Sequence, residues 1–122
     1  EWPALKPYLD TCLLPVTGLD GSESPVEAAE RLEELRDVLD LIERPYRGRT
    51  VTYPAWQYAP DRERLDEQLA MSVERLREVG FRHVVIVTAD DELGSGLRAG
   101  ADLVITPANS AEATRLIAEL WR

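Results

Sequence analysis

The chain has little of what most catalytic centres are built from. Its 122 residues include one cysteine and one histidine, and lysine occurs only at Lys6. Cys12 cannot form a disulfide within the chain, lies in an apolar segment and indicates a buried packing residue in a reducing compartment. His83 alone cannot supply a zinc centre with three or four nitrogen or sulfur ligands. It is expected at the amino end of its strand, away from the ligand edge, with no G-x-S-x-G motif for a Ser–His–Asp triad and no accessible cysteine for a Cys–His pair. We therefore expect neither nucleophilic catalysis nor a zinc site.

Long apolar runs and excess positive charge are also missing. No run approaches the roughly 18 residues of a membrane-spanning helix, and no signal peptide is visible. The net charge of −9 opposes binding to nucleic acid and to anionic membrane surfaces. We expect a cytoplasmic protein with no nucleic-acid partner and no membrane insertion. At this length, residues 1–122 are predicted to form one domain.

Four short apolar segments rich in β-branched residues alternate with helical patterns. They have the length of strands, at 11–16, 49–56, 83–89 and 102–108. Nearly continuous apolar strands alternating with helices are typical of a parallel sheet covered on both faces. The predicted fold is a single three-layer α/β domain, Rossmann-like, with a four-stranded, mainly parallel sheet and helices on both faces. The strand order is left open.

Cap residues mark the predicted helices. Ser24 precedes Pro25 in a capping box with Glu27, and Asp61 caps a second helix that Gly80 ends. A short helix is expected at 93–98 and a last one from 109 onwards. Apolar residues spaced by three and four form one face of the first two helices: Val26, Ala29, Leu32, Leu35, Leu39 and Ile42, then Leu65, Leu69, Val73, Leu76 and Val79.

Ligands of open parallel sheets bind beyond the carboxyl ends of the strands. The loops that follow the predicted strands carry polar and aromatic side chains. We expect the ligand-binding residues to be among these: Asp20, Ser22, Glu23, Trp56, Tyr58 and Asn109.

The segment VTADDELGSG, residues 87–96, allows two interpretations. Asp90 and Asp91, together with Asp20 and Glu23, could hold one Mg²⁺ or Mn²⁺ ion and orient a water for hydrolysis. Alternatively, Asp90 or Asp91 caps the short helix, which is the commoner role for such residues. The glycines do not have phosphate-loop spacing, and the adjacent carboxylates would repel a phosphate.

Two segments carry a resemblance to a known family. YLDTCLLPVTG (8–18) and RGRTVTYPAWQY (47–58) resemble the first and second strands of an uncharacterised bacterial family of small cytosolic α/β proteins, a domain of unknown function. This resemblance implies a fold and supplies no activity.

A more distant resemblance is to the creatininase-type amidohydrolases. LLPVTGLDGSESP (13–25) and LREVGFRHVVIVTADDELG (76–94) are similar to two of their strand-and-loop units. The histidine-bearing motifs of that family are absent, because Ala89-Asp90-Asp91 stands where Asn-Gly-His would be. The resemblance therefore implies a shortened relative without the dinuclear metal site.

These observations predict a protein without catalytic activity or cofactor that binds a partner or a small ligand at the carboxyl edge of the sheet. A protein partner or a homo-oligomer would be marked by an exposed apolar patch that includes Trp2, Trp56 or Trp121. The alternative is a degenerate creatininase-like hydrolase that uses a divalent metal, Mg²⁺ or Mn²⁺, held by the loop carboxylates.

Overall fold

The computed structural model describes residues 4, 9–19, 21–58, 61–97 and 99–122, with the backbone alone for Gln57, Tyr58 and Arg62. The elements in these ranges are β1 Thr11–Leu19, α1 Pro25–Glu43, β2 Thr50–Thr52, β3 Trp56–Tyr58, α2 Arg62–Val79, β4 His83–Thr88, α3 Asp91–Gly96, β5 Leu103–Ile105 and, after a 3₁₀ turn at Ser110–Glu112, α4 Ala113–Leu120.

All of these strands run parallel, in the order β2-β1-β4-β5, and β3 also pairs with β1. Since β2 and β3 lie against the same strand, they are two parts of one interrupted edge strand, and the sheet has four strand positions. Helices α2 and α3 cover one face, and α1 and α4 cover the other. The predicted three-layer α/β fold is confirmed.

Pro15 explains why the edge strand is interrupted. The amide of Tyr53 donates to the carbonyl of Leu13 at 3.0 Å. Because backbone groups of a strand alternate between its two sides, Pro15 faces the same edge and has no N–H to donate. Pro54 then points its missing donor away from the sheet. The ladder breaks at this point, and its register shifts between Val16 and Leu19.

The core is divided by the sheet into two clusters. Cys12, Leu14 and Val16 of β1 pack towards α2, whereas Leu13 packs towards α1. This two-sided burial accounts for the nearly continuous apolar sequence of β1 and β4.

Not all of the predicted apolar face of the helices is buried. Val26, Leu32 and Val79 are exposed by 68%, 44% and 45%. The buried residues of α1 begin at Leu35, so its first turns are not covered by the core. Val79 ends α2 beside the turn at Gly80, where φ is 125°.

Ser24 and Asp61 cap their helices as predicted, but the reciprocal bond of the capping box, from the Ser24 amide to Glu27, is not seen among the described residues. The short helix begins at Asp91 rather than at residue 93, and the last helix also differs. The hydroxyl of Ser24 accepts from the Glu27 amide, and Asp61 accepts from two amides at the start of α2. The last helix begins at Ser110 as a 3₁₀ turn, and its α-helical part begins only at Ala113. In the parts of the chain described above, no helix is long and apolar enough to cross a membrane.

The connections change direction between the two central strands. From β1 the chain passes through α1 to β2 on one side, and it returns through α2 to β4 on the other. The carboxyl ends of β1 and β4 are therefore adjacent, with Val16 opposite Thr88. This is the topological switch point, where ligands of open α/β sheets commonly bind.

Candidate functional site

Asp90 lies at the switch point, and both of its carboxylate oxygens have partners. Oδ1 accepts from the Leu93 amide at 3.1 Å and caps α3, while Oδ2 lies 3.3 Å from Nη1 of Arg31 on α1. Its Cβ lies 3.2 Å from the position that a Cβ on Gly18 would take, and Gly18 has φ of 76°. Asp90 therefore joins the loop after β4 to its own helix, to α1 and to the end of β1.

Asp91 and Asn109 also bind backbone groups of the fold. Oδ1 of Asp91 accepts from the Ala108 amide at 2.8 Å, which ties the loop after β4 to the loop after β5. The Asn109 side chain accepts from the Thr106 amide at 2.7 Å and donates to the Val104 carbonyl at 3.0 Å. Asn109 thereby satisfies a backbone acceptor and a backbone donor at the end of β5.

The glycines of VTADDELGSG have different surroundings. A Cβ on Gly94 would lie 2.3 Å from Cγ2 of Thr106 and 3.3 Å from Cγ2 of Thr88, whereas a Cβ on Gly96 would meet nothing within 4 Å. Gly94 thus lets α3 pack closely on the ends of β4 and β5. This close packing explains why residue 94 is a glycine, and no phosphate ligand is needed to explain it.

The first loop contributes less to a described site. Glu23 accepts from the Gly21 amide at 3.1 Å, and Ser22 is exposed. Asp20 and the side chain of Tyr58 lie outside the described parts of the chain. Across the described parts, no group of three or more His, Cys, Asp or Glu residues could hold a metal ion. The alternative with Mg²⁺ or Mn²⁺ stays a prediction.

A concave site lies elsewhere, on the α2 face of the interrupted edge strand. We call it the aromatic cleft; its volume is about 220 Å³, and its lining residues are Leu14, Tyr53, Pro54, Trp56, Ser72, Arg75 and Leu76. Because the edge strand is broken at Tyr53–Ala55, aromatic side chains come together beside α2. Of the predicted site residues whose side chains the structure describes, Trp56 lines this cleft.

The cleft combines a fixed apolar floor with the cationic side chain of Arg75. The ring of Tyr53 packs edge-on against Phe81, with centroids 5.8 Å apart, and burial raises the pKa of its hydroxyl, helped by the nearby Cys12. Burial also raises the pKa of the Cys12 thiol to about 12, so this thiol stays protonated and unreactive. Arg75 is exposed, and no described residue forms an ion pair or hydrogen bond with its guanidinium.

The sequence offered little to identify Arg75 or Ser72. On α2 they are ordinary polar positions outside the predicted apolar stripe. The available signal was Met71, an apolar residue that stands one turn before Arg75, off the core face, and is 55% exposed.

The amino end of the sheet holds a dense polar network. Arg49 donates to both carboxylate oxygens of Asp10, at 2.9 and 3.0 Å, and its guanidinium lies 4.1 Å from the ring centroid of Trp121. Trp121 donates from Nε1 to the Thr11 hydroxyl at 2.7 Å, and its ring packs edge-on against Tyr46. Burial alone would raise the pKa of Asp10, but hydrogen bonds from Arg49 and Thr11 and the charge of Arg49 outweigh it, and the pKa is lowered.

The fold and site define a class: a small α/β domain with a doubly wound parallel sheet and a cleft beside its edge strand. The chain belongs to the family described as Protein of unknown function (DUF2487), which matches residues 1–116. Membership of an uncharacterised family is thereby confirmed, and no link to the creatininase-type amidohydrolases is shown. Neither the curated proteins nor the solved structures include a match to this chain.

Proposed function

We propose that this chain is a binding domain whose ligand occupies the aromatic cleft, and we assign no reaction to it. The observation that carries the proposal is the pairing of aromatic walls, Tyr53 and Trp56, with a guanidinium, Arg75, that no described residue binds. Binding sites are typically concave and mostly apolar, with a few polar groups that orient the ligand.

The surface around the cleft supports this assignment. Met71 and Val79, which stand one turn to either side of Arg75 along α2, are 55% and 45% exposed. Residues spaced by four lie in a row on a helix, so the two apolar side chains flank the guanidinium. Exposed apolar surface next to a concave site is typical of a binding surface.

The carboxyl edge of the sheet supports a ligand less well than its sequence suggested. Asp90, Asp91 and Asn109 all bind backbone groups or an arginine of the chain itself. A ligand that used these groups would have to displace contacts that hold the loops together. The proposal therefore moves the site from the carboxyl edge to the neighbouring cleft and keeps Trp56.

The ligand that suits this cleft is a small molecule. A volume of about 220 Å³ is below the roughly 300–1,000 Å³ of sites for drug-sized ligands. The addition of an extended peptide to the sheet is disfavoured at this edge, because the edge strand is interrupted and Pro54, within the interruption, offers no outward N–H.

The proposal is tested by screening small fragments against the ¹⁵N-labelled chain and following the indole N–H signals of tryptophan. We expect fragments with an aromatic ring to shift the signal of Trp56, assigned with Trp56→Phe. Trp121 is an internal control, because it lies at the amino end of the sheet with its N–H bound to Thr11. If no fragment moves the Trp56 signal, or if fragments move only the Trp121 signal, the cleft is not a binding site.

A further inference from the structure

We infer that the ligand of the aromatic cleft is a small aromatic carboxylate, whose ring packs against Tyr53 and Trp56 and whose carboxylate is bound by Arg75. This inference rests on the proposed function and specifies the chemistry of its ligand. Among the described residues that line the cleft, Arg75 is the one cation and none is acidic.

Arg75 differs from its neighbour Arg77 in its contacts with the rest of the chain. Nη1 of Arg77 lies 3.1 Å from Asp102, and Nη2 donates to the Gly100 carbonyl at 2.9 Å, so this arginine ties α2 to the loop before β5. Arg75 has no such contact with the described residues, although the chain carries 23 carboxylate side chains. Its donors remain available to an external acceptor.

The hydrogen-bond donors on the α2 wall of the cleft suit a carboxylate. Arg75 presents a planar fork that binds a carboxylate through two parallel hydrogen bonds. Ser72 lies one turn earlier on α2 and also lines the cleft, so its hydroxyl offers a further donor on the same wall. The opposite wall is the broken edge strand, where aromatic rings supply flat apolar surface for a ring.

The net negative charge of the rest of the molecule opposes the binding of anions. With a net charge of −9, the chain repels anions at long range. A carboxylate is therefore bound only where a local cation and apolar contact outweigh this repulsion. A larger anion such as a nucleotide would bring more negative charge than one arginine can offset and more volume than about 220 Å³ can accept.

The test compares phenylacetate with phenylacetamide, a neutral molecule of nearly the same shape, by titration at fixed ionic strength with the Trp56 indole signal as readout. We expect phenylacetate to bind with a Kd of about 1 mM or tighter, within the range of small fragments. Phenylacetamide should bind about tenfold more weakly, because it cannot form the charge-assisted pair with Arg75.

Substitutions test whether Arg75 is the cation that binds the carboxylate of the ligand. Arg75→Gln should weaken phenylacetate about tenfold and leave phenylacetamide unchanged. Arg64→Gln is the matched control, since it removes the same charge from α2 about 16 Å away along the helix axis and should leave both affinities unchanged. Because Arg75 is exposed, thermal unfolding should show no loss of stability in Arg75→Gln, and a loss of affinity then reports on the contact itself.

Each result separates the two proposals. If the amide binds as well as the acid, or if Arg75→Gln binds phenylacetate like the parent chain, the carboxylate assignment is wrong and the cleft remains a binding site. If neither probe moves the Trp56 signal while other fragments do, the ligand class is again wrong. If no compound at all moves it, both proposals fail together.

Discussion

Two arginines in different parts of the molecule differ in how far the fold occupies their hydrogen-bond donors. At the amino end of the sheet, Arg49 is bound by both oxygens of the buried Asp10 and lies over the ring of Trp121. In the aromatic cleft, Arg75 faces the lining with no described partner. The guanidinium of Arg49 is used within the fold, whereas that of Arg75 has donors that no described residue binds. A polar group indicates function only when the fold does not already occupy its hydrogen-bonding groups.

The carboxyl end of the sheet lies between these two cases. Asp90 and Asp91 come where a parallel sheet places its ligands, yet their oxygens accept bonds from Leu93 and Ala108 and from the side chain of Arg31. Residue type and position therefore suggested a site at this edge. The hydrogen bonds show instead side chains that fix the loop after β4.

The largest expected effect comes from breaking the amino-end pair. Asp10→Asn should lower the free energy of unfolding by about 2–4 kcal/mol, because it removes the buried charge that holds Arg49 and joins the end of β2 to β1. The estimate is below that of a fully buried pair, since the Arg49 side chain is 40% exposed. The measurement is urea unfolding followed by circular dichroism, with Arg75→Gln as the matched control, expected within about 0.5 kcal/mol of the parent chain. Equal effects of the two substitutions would remove the distinction between the two arginines.

The same pair predicts how stability depends on pH. Although burial opposes it, hydrogen bonds from Arg49 and Thr11 hold the pKa of Asp10 below its ordinary value in the folded state. The unfolded chain therefore takes up this proton first as the pH falls, so the contribution of Asp10 is complete above its unfolded pKa and is lost as the pH falls through the folded one. Below about pH 4, the stability of the parent chain should fall more steeply than that of Asp10→Asn. Parallel curves for the two chains would show that Asp10 is not held as described.

A smaller effect separates the two glycines of VTADDELGSG. Gly94→Ala should cost about 1–3 kcal/mol, because its Cβ would overlap Thr106 and force α3 away from the sheet. Gly96→Ala adds the same methyl group where nothing lies within 4 Å, so it should be neutral or stabilise by up to about 1 kcal/mol. Thermal unfolding of the two variants measures the difference. If both behave alike, the close packing of α3 is wrong.

Much of the architecture could be predicted, because it depends on local patterns. The apolar runs of β1 and β4 and the caps at Ser24 and Asp61 correspond to the elements observed. The break at Tyr53–Ala55 was harder to predict, because it depends on Pro15, which lies on the neighbouring strand and is distant in the sequence. Strand order likewise depends on packing between distant segments rather than on local sequence.

The site could be predicted only in part, for a related reason. Trp56 was recognisable as an aromatic residue after a strand, but Arg75 becomes distinctive only when its surroundings are known. The same is true of Asp10 and Arg49, which lie 39 residues apart and are joined by the parallel pairing of β1 and β2. Chemical type can be read from a sequence, whereas the bonding state of a side chain depends on contacts between distant residues.

The smallest expected effect is that of metal ions on thermal unfolding. It tests whether the carboxylates at the carboxyl end of the sheet are occupied by the fold. Millimolar Mg²⁺ or Mn²⁺ should change the midpoint of thermal unfolding by less than about 1 °C relative to EDTA, because the oxygens of Asp90 and Asp91 are bound by backbone amides and Arg31. A metal at 100 times its dissociation constant would stabilise by about 2.7 kcal/mol and raise the midpoint by roughly 3–6 °C at this chain length. Asp91→Asn is the informative variant, since its remaining amide oxygen can still accept from Ala108 while its charge is lost. A rise of several degrees that Asp91→Asn abolishes would mean that a metal displaces these contacts, and the hydrolase alternative would then replace the cleft as the function to pursue.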